Sequence, residues 1–241
     1  MNQKHIKAYG LFLLSIFTMG LGISLVTFAE LGTTAITVPA YVLSLLFPIS
    51  FGMLTMLFNI LYIFIQMILM GKDFPKAQYM QLLVGVVLGL SIDFWYFLIS
   101  FISKPYYFVQ LLMVLIGCAV IAISIVLQLK VQVVHNPAEG IVKVISMKTK
   151  KKFSRVKVLF DIGLVLLAAI ISFAGFGTIY GIGEGTVISA FLIGPLVKLF
   201  QKLSDYQGNT ASLTMSQGMN VLCKKVYLLW MNVYLKMYML P

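Results

Sequence analysis

Glu30-Leu31-Gly32-Thr33-Thr34, with Pro39 following, and His135-Asn136-Pro137-Ala138-Glu139-Gly140 are the two places where an otherwise apolar chain is interrupted, and their reading decides the fold. Each follows a long apolar run and precedes a short one, Thr33 to Phe47 and Pro137 to Met147. A helix rising about 1.5 Å per residue needs about 20 apolar residues to cross the hydrocarbon, and these two stretches have only about 11 to 15. Short, Gly- and Pro-flanked segments read as half-helices or re-entrant segments rather than full crossings. Six other runs have a spanning or near-spanning length: Tyr9 to Phe28, Phe51 to Met70, Met80 to Phe101, Tyr107 to Leu129, Val156 to Phe173 and Gly185 to Phe200.

Composition requires lipid as the solvent. The 241 residues are 61% hydrophobic and only 10% charged, with a mean hydropathy of +1.00. A soluble domain carries about 25% charged residues, so this chain cannot clothe a water-facing surface. The formal charge of +11 would suggest nucleic acid elsewhere. Here the bases lie between apolar runs and read as topology signals, and no nucleic-acid partner is expected. Cys118 lies in an apolar run and Cys223 near the tail, which excludes a disulfide framework or a C-x-x-C metal pattern.

With six crossings, Lys4, Lys7, Lys72, Lys76, Lys130, the run from Lys148 to Lys157, Lys198 and Lys202 share the cytoplasmic side, and Lys104 alone falls outside. With eight, Lys72, Lys76 and Lys130 would move outside, so the positive-inside rule favours six and a cytoplasmic N-terminus. The first run resembles a secretory signal but is too long for its apolar core, and it is read as a membrane anchor.

Sliding the chain on itself by 102 positions lays Leu57-Phe58-Asn59-Ile60 over Leu159-Phe160-Asp161-Ile162, with Val42 on Val144, Ser44 on Ser146 and Phe51 on Phe153. The order of long span, interrupted segment, long span, loop and long span occurs twice. Three crossings per copy invert the second copy. The expected fold is therefore an all-α polytopic membrane protein with six transmembrane helices as a 3+3 inverted repeat, residues 1–103 and 104–203, each half with a short broken or re-entrant helix. In transporters of this plan, paired broken segments mark the binding site. The competing reading takes both breaks as boundary turns.

Carboxylates within spans are costly and mark bundle-facing or functional positions. Asp161 lies early in its span with Asn59 at the matching place, and Asp93 lies past the middle of the third span. Glu30, Glu139 and Glu184 lie near breaks and span ends. The expected solute site comprises Glu30, Gly32, Thr33, Asn59, Asp93, His135, Asn136, Glu139, Asp161 and Glu184, with His135 able to titrate near neutrality. The plainer alternative pairs Asp161 with Lys157, four residues earlier on the same helix face. The glycines from Gly175 to Gly185 lack the Lys-Ser/Thr ending of a phosphate loop and read as sites of close backbone approach, as do Gly85 and Gly89.

Lys148, Lys150, Lys151 and Lys152 are expected to orient the chain and to touch anionic lipid headgroups. Residues 204–220 read as a polar linker, and Val221 to Leu240 as an interfacial amphipathic helix.

The turn Ala29 to Thr34 with Pro39, the matching Asn136 to Gly140, and Gly181-Ile182-Gly183-Glu184-Gly185-Thr186 resemble the YczE/YyaS/YitT group of bacterial integral membrane proteins over about residues 8–202. The resemblance implies a multi-pass protein of the bacterial cytoplasmic membrane and supplies no reaction. No nucleophile and base pair, metal cluster or H-E-x-x-H occurs, so neither an enzyme nor a cofactor is expected. The expectation is a secondary transporter or permease for a small polar or ionic solute, working by alternating access, with a homo-oligomer compatible with it. The alternative is a partner-dependent membrane subunit without transport of its own.

Overall fold

The computed structural model describes residues 3–102, 106–131 and 136–210, and all regular structure among them is helical. The order is α1 (Gln3–Phe28), α2 (Val38–Leu46), α3 (Phe51–Met70), α4 (Met80–Ser100), α5 (Tyr107–Val131), α6 (Pro137–Thr149), α7 (Phe153–Phe176) and α8 (Glu184–Thr210). Two 3-10 turns, Gly71–Asp73 and Lys76–Tyr79, join α3 to α4. Six helices carry spans long and apolar enough to cross a bilayer: Tyr9–Phe28, Phe51–Asp73, Met80–Ser100, Tyr107–Val131, Phe153–Phe176 and Glu184–Ser204. The chain is a multi-pass membrane protein. At 9 and 13 residues, α2 and α6 reach only about 14 and 20 Å, short of a hydrocarbon core about 30 Å thick.

Helix α1 begins earlier than Tyr9 and α7 extends beyond Val156 and Phe173, and two further boundaries differ from the sequence reading for identifiable reasons. The segment expected to be apolar and helical from Thr33 turns helical only at Val38, because Thr33, Thr34 and Thr37 spend their hydroxyls on one another and on backbone. Pro39 in the first turn of α2 needs no N–H there. At the other end, α8 runs on through Ser204 to Thr210 where a linker was expected, since an established helix adds residues cheaply. The proposed amphipathic segment Val221 to Leu240 and His135 lie outside the described residues.

The chain divides into two units, the first ending at Lys198. In the first, α1 packs along α5 and α4. Apolar association gains little in lipid, so close contact rests on small residues and interhelical hydrogen bonds. A Cβ on Gly22 would stand 2.8 Å from the Gly117 carbonyl, and one on Gly117 2.8 Å from the Gly22 carbonyl. Ser24 Oγ donates to the Ile92 carbonyl at 3.0 Å, and Trp95 Nε1 to that of Phe17 at 3.0 Å. Gly85 and Gly89 let α4 close onto Asn59 and Gly52 of α3. Ile16, Ile23, Val26, Ile92, Val114 and Cys118 fill the space around α1.

Helix α3 begins beside α2, where the Tyr41 and Phe51 rings lie 5.4 Å apart, and ends beside α6, where Gln66 reaches Pro137. Helix α7 starts against α6 and finishes against α2, with Gly175 on Leu46 and nearby Gly181 on Leu45 and Val42. The C-terminal part of α2 therefore lies at the start of α3 and α6 at its end, while Ile36, within the first break, packs on the cluster of Tyr62, Ala138 and Ile141 at the second.

Candidate functional site

At the second break, α3 turns a polar face inward. Asn59, Tyr62 and Gln66 are 3%, 4% and 0% exposed, and their spacing places them within an arc of about 60° at 100° per residue. Gln66 Nε2 donates to Gln81 Oε1 at 3.1 Å and to the Pro137 carbonyl at 3.1 Å. One amide thus ties the end of α3 to the start of α4 and to the first residue of α6. Only a glycine fits opposite it, because a Cβ on Gly140 would lie 2.7 Å from Gln66 Oε1 and 2.9 Å from Gln81 Nε2. Asn59 Nδ2, Tyr62 Oη and Gln66 Oε1 are buried without a hydrogen-bond partner among the described residues. Tyr62 packs on Ala138 and Ile141 of α6 and lies 5.7 Å, ring to ring, from Phe160 of α7.

Asn136 caps α6, its Oδ1 accepting from Ala138 N at 3.4 Å, while Nδ2 points to Met19 Sδ at 3.8 Å. Pro137 occupies the first helical position, where its missing N–H costs nothing. Glu139 follows in that first turn, partly buried. Burial pushes its carboxyl above the usual carboxylate range; the Lys157 ammonium opposes the shift and the Asp161 carboxylate adds to it. Lys157 Nζ is bound to both carboxylate oxygens of Asp161 across one helical turn of α7. That is the pairing the plainer sequence reading named.

The first break is built from hydroxyls. Thr27 Oγ1 donates to the Ile23 carbonyl at 2.8 Å and lies 2.7 Å from Thr33 Oγ1. Thr33 and Thr37 hydroxyls are 3.1 Å apart, and those of Thr34 and Thr37 2.7 Å. With the Thr27 proton committed to Ile23, the protons run consistently from Thr34 to Thr37, Thr33 and Thr27. Every hydroxyl then donates once. Two bonds tie this turn to the start of α8: Gly185 N to the Leu31 carbonyl at 2.7 Å, and Thr33 N to Thr186 Oγ1 at 3.2 Å. Gly32 has φ of 105° and lies against Thr186 and Gly183, a conformation and a closeness that both exclude a side chain. Glu30 precedes it, exposed and with φ of 57°.

The ten sequence-derived candidates thus fall in separate places. Asn136, Glu139 and Asp161 gather around the second break, Asn59 lies two turns along α3 from Gln66 against Gly85 of α4, and Glu30, Gly32 and Thr33 lie at the first. Asp93 does neither: its carboxylate accepts from Ser50 Oγ at 2.6 Å and Gly52 N at 2.7 Å, fastening the first turn of α3. Glu184 opens α8 and accepts from the exposed Tyr107 hydroxyl at 2.6 Å. Sequence reasoning passed over Tyr62, Gln66, Gln81, Thr27 and Thr186. The signal for the α3 face was available: polar residues at 59, 62 and 66 fall on one helical stripe. Lys148, Lys150, Lys151 and Lys152 are exposed at the end of α6 and in the turn to α7. Among the described residues no group of three or more His, Cys, Asp or Glu is disposed to hold a metal ion.

Comparison with known sequences matches residues 6–202 to a family described as "Family of unknown function (DUF6198)". No curated protein and no solved structure matches the chain.

Proposed function

The chain belongs to the DUF6198 family of unknown function, and from that premise we propose that it is a small secondary transporter for a polar or ionic solute, built as a 3+3 inverted repeat and working by alternating access. The observation that carries the proposal is the reciprocal docking of the two breaks. The first rests on the start of α8, through Leu31 with Gly185 and Thr33 with Thr186, and the second rests by way of Gln66 on the start of α4 at Gln81. Each break thus meets the last span of the opposite half. The helix pairs follow the same exchange: α3 packs on α6 as α7 packs on α2, and α2 on α3 as α6 on α7.

In this reading the threonine turn and the α3 face border one site between the halves, joined by the packing of Ile36 on the Tyr62 cluster, and rocking of one half against the other opens it to either side in turn. Gly32 and Pro137 are the hinges. Glu139 is the coupling group, a carboxyl whose burial favours the protonated form. The basic turn from Lys148 to Lys152 faces the cytoplasm against anionic headgroups, with the N-terminus on the same side, in the bacterial cytoplasmic membrane that the YczE/YyaS/YitT resemblance implies. The test is reconstitution of the purified chain in liposomes. Solute flux, or a solute-dependent proton current abolished in Glu139→Gln, is the expected result; silence across a broad solute panel overturns the reading.

A second reading, a membrane subunit that works with a partner, is favoured by one observation. The spans of α7 and α8 are only 17% and 11% buried, against 61% for α1. Copurification of a stoichiometric partner that covers α7 and α8 would establish it in place of the first.

A further inference from the structure

We propose that the α3 face formed by Asn59, Tyr62 and Gln66 is the solute-binding surface, and that it takes a small, uncharged, amide-like solute offering both a hydrogen-bond donor and an acceptor. The proposal rests on the transport reading and adds the chemistry of the ligand. Three features of the face carry it.

First, the polarity of Gln66 is fixed by its neighbours. Its Nε2 faces two acceptors, Gln81 Oε1 and the Pro137 carbonyl, so the amide cannot be turned over, and the remaining atom, Oε1, is an acceptor. Along the same stripe stand Tyr62 Oη, which both donates and accepts, and the Asn59 amide, which no neighbour orients and which can present either a donor or an acceptor. A ligand along this face therefore meets a fixed acceptor at Gln66 and groups able to donate at Tyr62 and Asn59.

Second, the face is deeply buried, and buried polar groups are rarely left without partners. Three such atoms at i, i+3 and i+7 on one helix are better explained by a ligand than by packing, for which Leu or Phe would serve. The rise per residue separates Asn59 from Tyr62 by about 4.5 Å and Tyr62 from Gln66 by about 6 Å along the axis. A solute of a few heavy atoms bridges either gap.

Third, the three side chains of the face bear no formal charge, Lys157 and Asp161 beside it neutralise each other, and burial disfavours the charged form of Glu139. A charged solute would leave water without a counter-ion, which is costly in a buried site, whereas an amide exchanges hydrogen bonds with water for hydrogen bonds with protein.

Matched pairs of shape with different charge provide the test: acetamide against acetate, and urea against guanidinium, each at low, non-denaturing concentration, with the purified protein in nanodiscs. Melting temperature is read for the wild type, Tyr62→Phe, Gln66→Leu and the control Ser124→Ala, whose hydroxyl only returns to the Val120 carbonyl of its own helix. Acetamide and urea are expected to raise the melting temperature of the wild type and of the control, with acetate and guanidinium without effect. Loss of one hydrogen bond in Tyr62→Phe should weaken binding about tenfold. The same variant without ligand should melt no lower than the wild type, because its hydroxyl had no protein partner to lose. A lower melting temperature of ligand-free Tyr62→Phe, an undiminished ligand response in it, no response in the wild type, or an equal response to acetate would each overturn the proposal. A ligand response without liposome flux keeps the site and removes the transport reading. Flux of another solute without a response removes the site and keeps the transport.

Discussion

Gly140→Ala tests whether the second break is held by its contact with Gln66. The added Cβ would stand 2.7 Å from Gln66 Oε1 and 2.9 Å from Gln81 Nε2, closer than unbonded atoms allow, so the paired amides must move. Moving them gives up the Gln66 bonds to Gln81 and Pro137. At about 1 kcal/mol net for each neutral bond, the loss is about 2 kcal/mol. Alanine in place of glycine within a helix returns about 1 kcal/mol, which leaves a net destabilisation of about 1 kcal/mol. In a Gln66→Ala background the bonds are already absent, and Gly140→Ala should then stabilise by up to about 1 kcal/mol. The coupling between the sites is thus about 2 kcal/mol, well above the error of a double-mutant cycle. Reversible unfolding in mixed detergent micelles, with four proteins measured in parallel, reads it directly. An alanine that stabilises the wild type as much as it stabilises Gln66→Ala would refute the reasoning.

Further perturbations address the other parts of the structure. Asp93→Ala removes both acceptors at the first turn of α3 and should cost about 2 to 3 kcal/mol, with Asp93→Asn milder because its oxygen can still serve Gly52 N; thermal melting ranks the two. Gly32→Ala places a Cβ on a residue at φ of 105° and against Thr186, so a loss of about 1 to 3 kcal/mol is expected, again by melting. Because burial raises the Glu139 carboxyl pKa in the folded protein, with Lys157 and Asp161 acting on it in opposite directions, the native state holds the proton more tightly than the unfolded chain. Its contribution to stability is full below the ordinary value of 4.5 and is lost as pH rises through the folded value; Glu139→Gln should flatten that part of the stability profile. Because Lys157 and Asp161 neutralise each other and act on Glu139 in opposite directions, the double replacement Lys157→Met with Asp161→Leu should retain stability and flux, whereas Asp161→Leu alone destabilises.

What could be read from the sequence follows the strength of the physical constraint. Lipid leaves a backbone no partners but its own, so a spanning helix needs a long uninterrupted apolar run, and α1, α3 and α4 begin or end within a residue or two of where hydropathy puts them. Asn136 followed by Pro137 marks the start of α6 because both residues have a defined use there. Thr33 to Thr37 is less transparent. Threonine is tolerated in a membrane helix, and only the mutual bonding of the hydroxyls, a tertiary outcome, holds this turn open. Asp93 was taken for a solute ligand since a carboxylate in a span calls for a partner; that its partners are the cap residues of another helix depends on how α3 and α4 cross. Gln66 and Gln81 carry no charge and stand singly in apolar surroundings, so nothing local distinguishes them from surface glutamines until α3, α4 and α6 are brought together.

The central claim is that the two halves are inverted, with the turns at Lys72 and Lys148 on one side of the membrane and Phe47 and Tyr106 on the other. In a chain with Cys118 and Cys223 replaced by alanine, single cysteines at the exposed positions Lys72, Lys148, Phe47 and Tyr106 can be probed with a membrane-impermeant thiol reagent on intact cells and on inverted vesicles. The account predicts that Lys72→Cys and Lys148→Cys react only in inverted vesicles and that Phe47→Cys and Tyr106→Cys react only in intact cells. Reaction of Lys72→Cys and Lys148→Cys from opposite faces would contradict it.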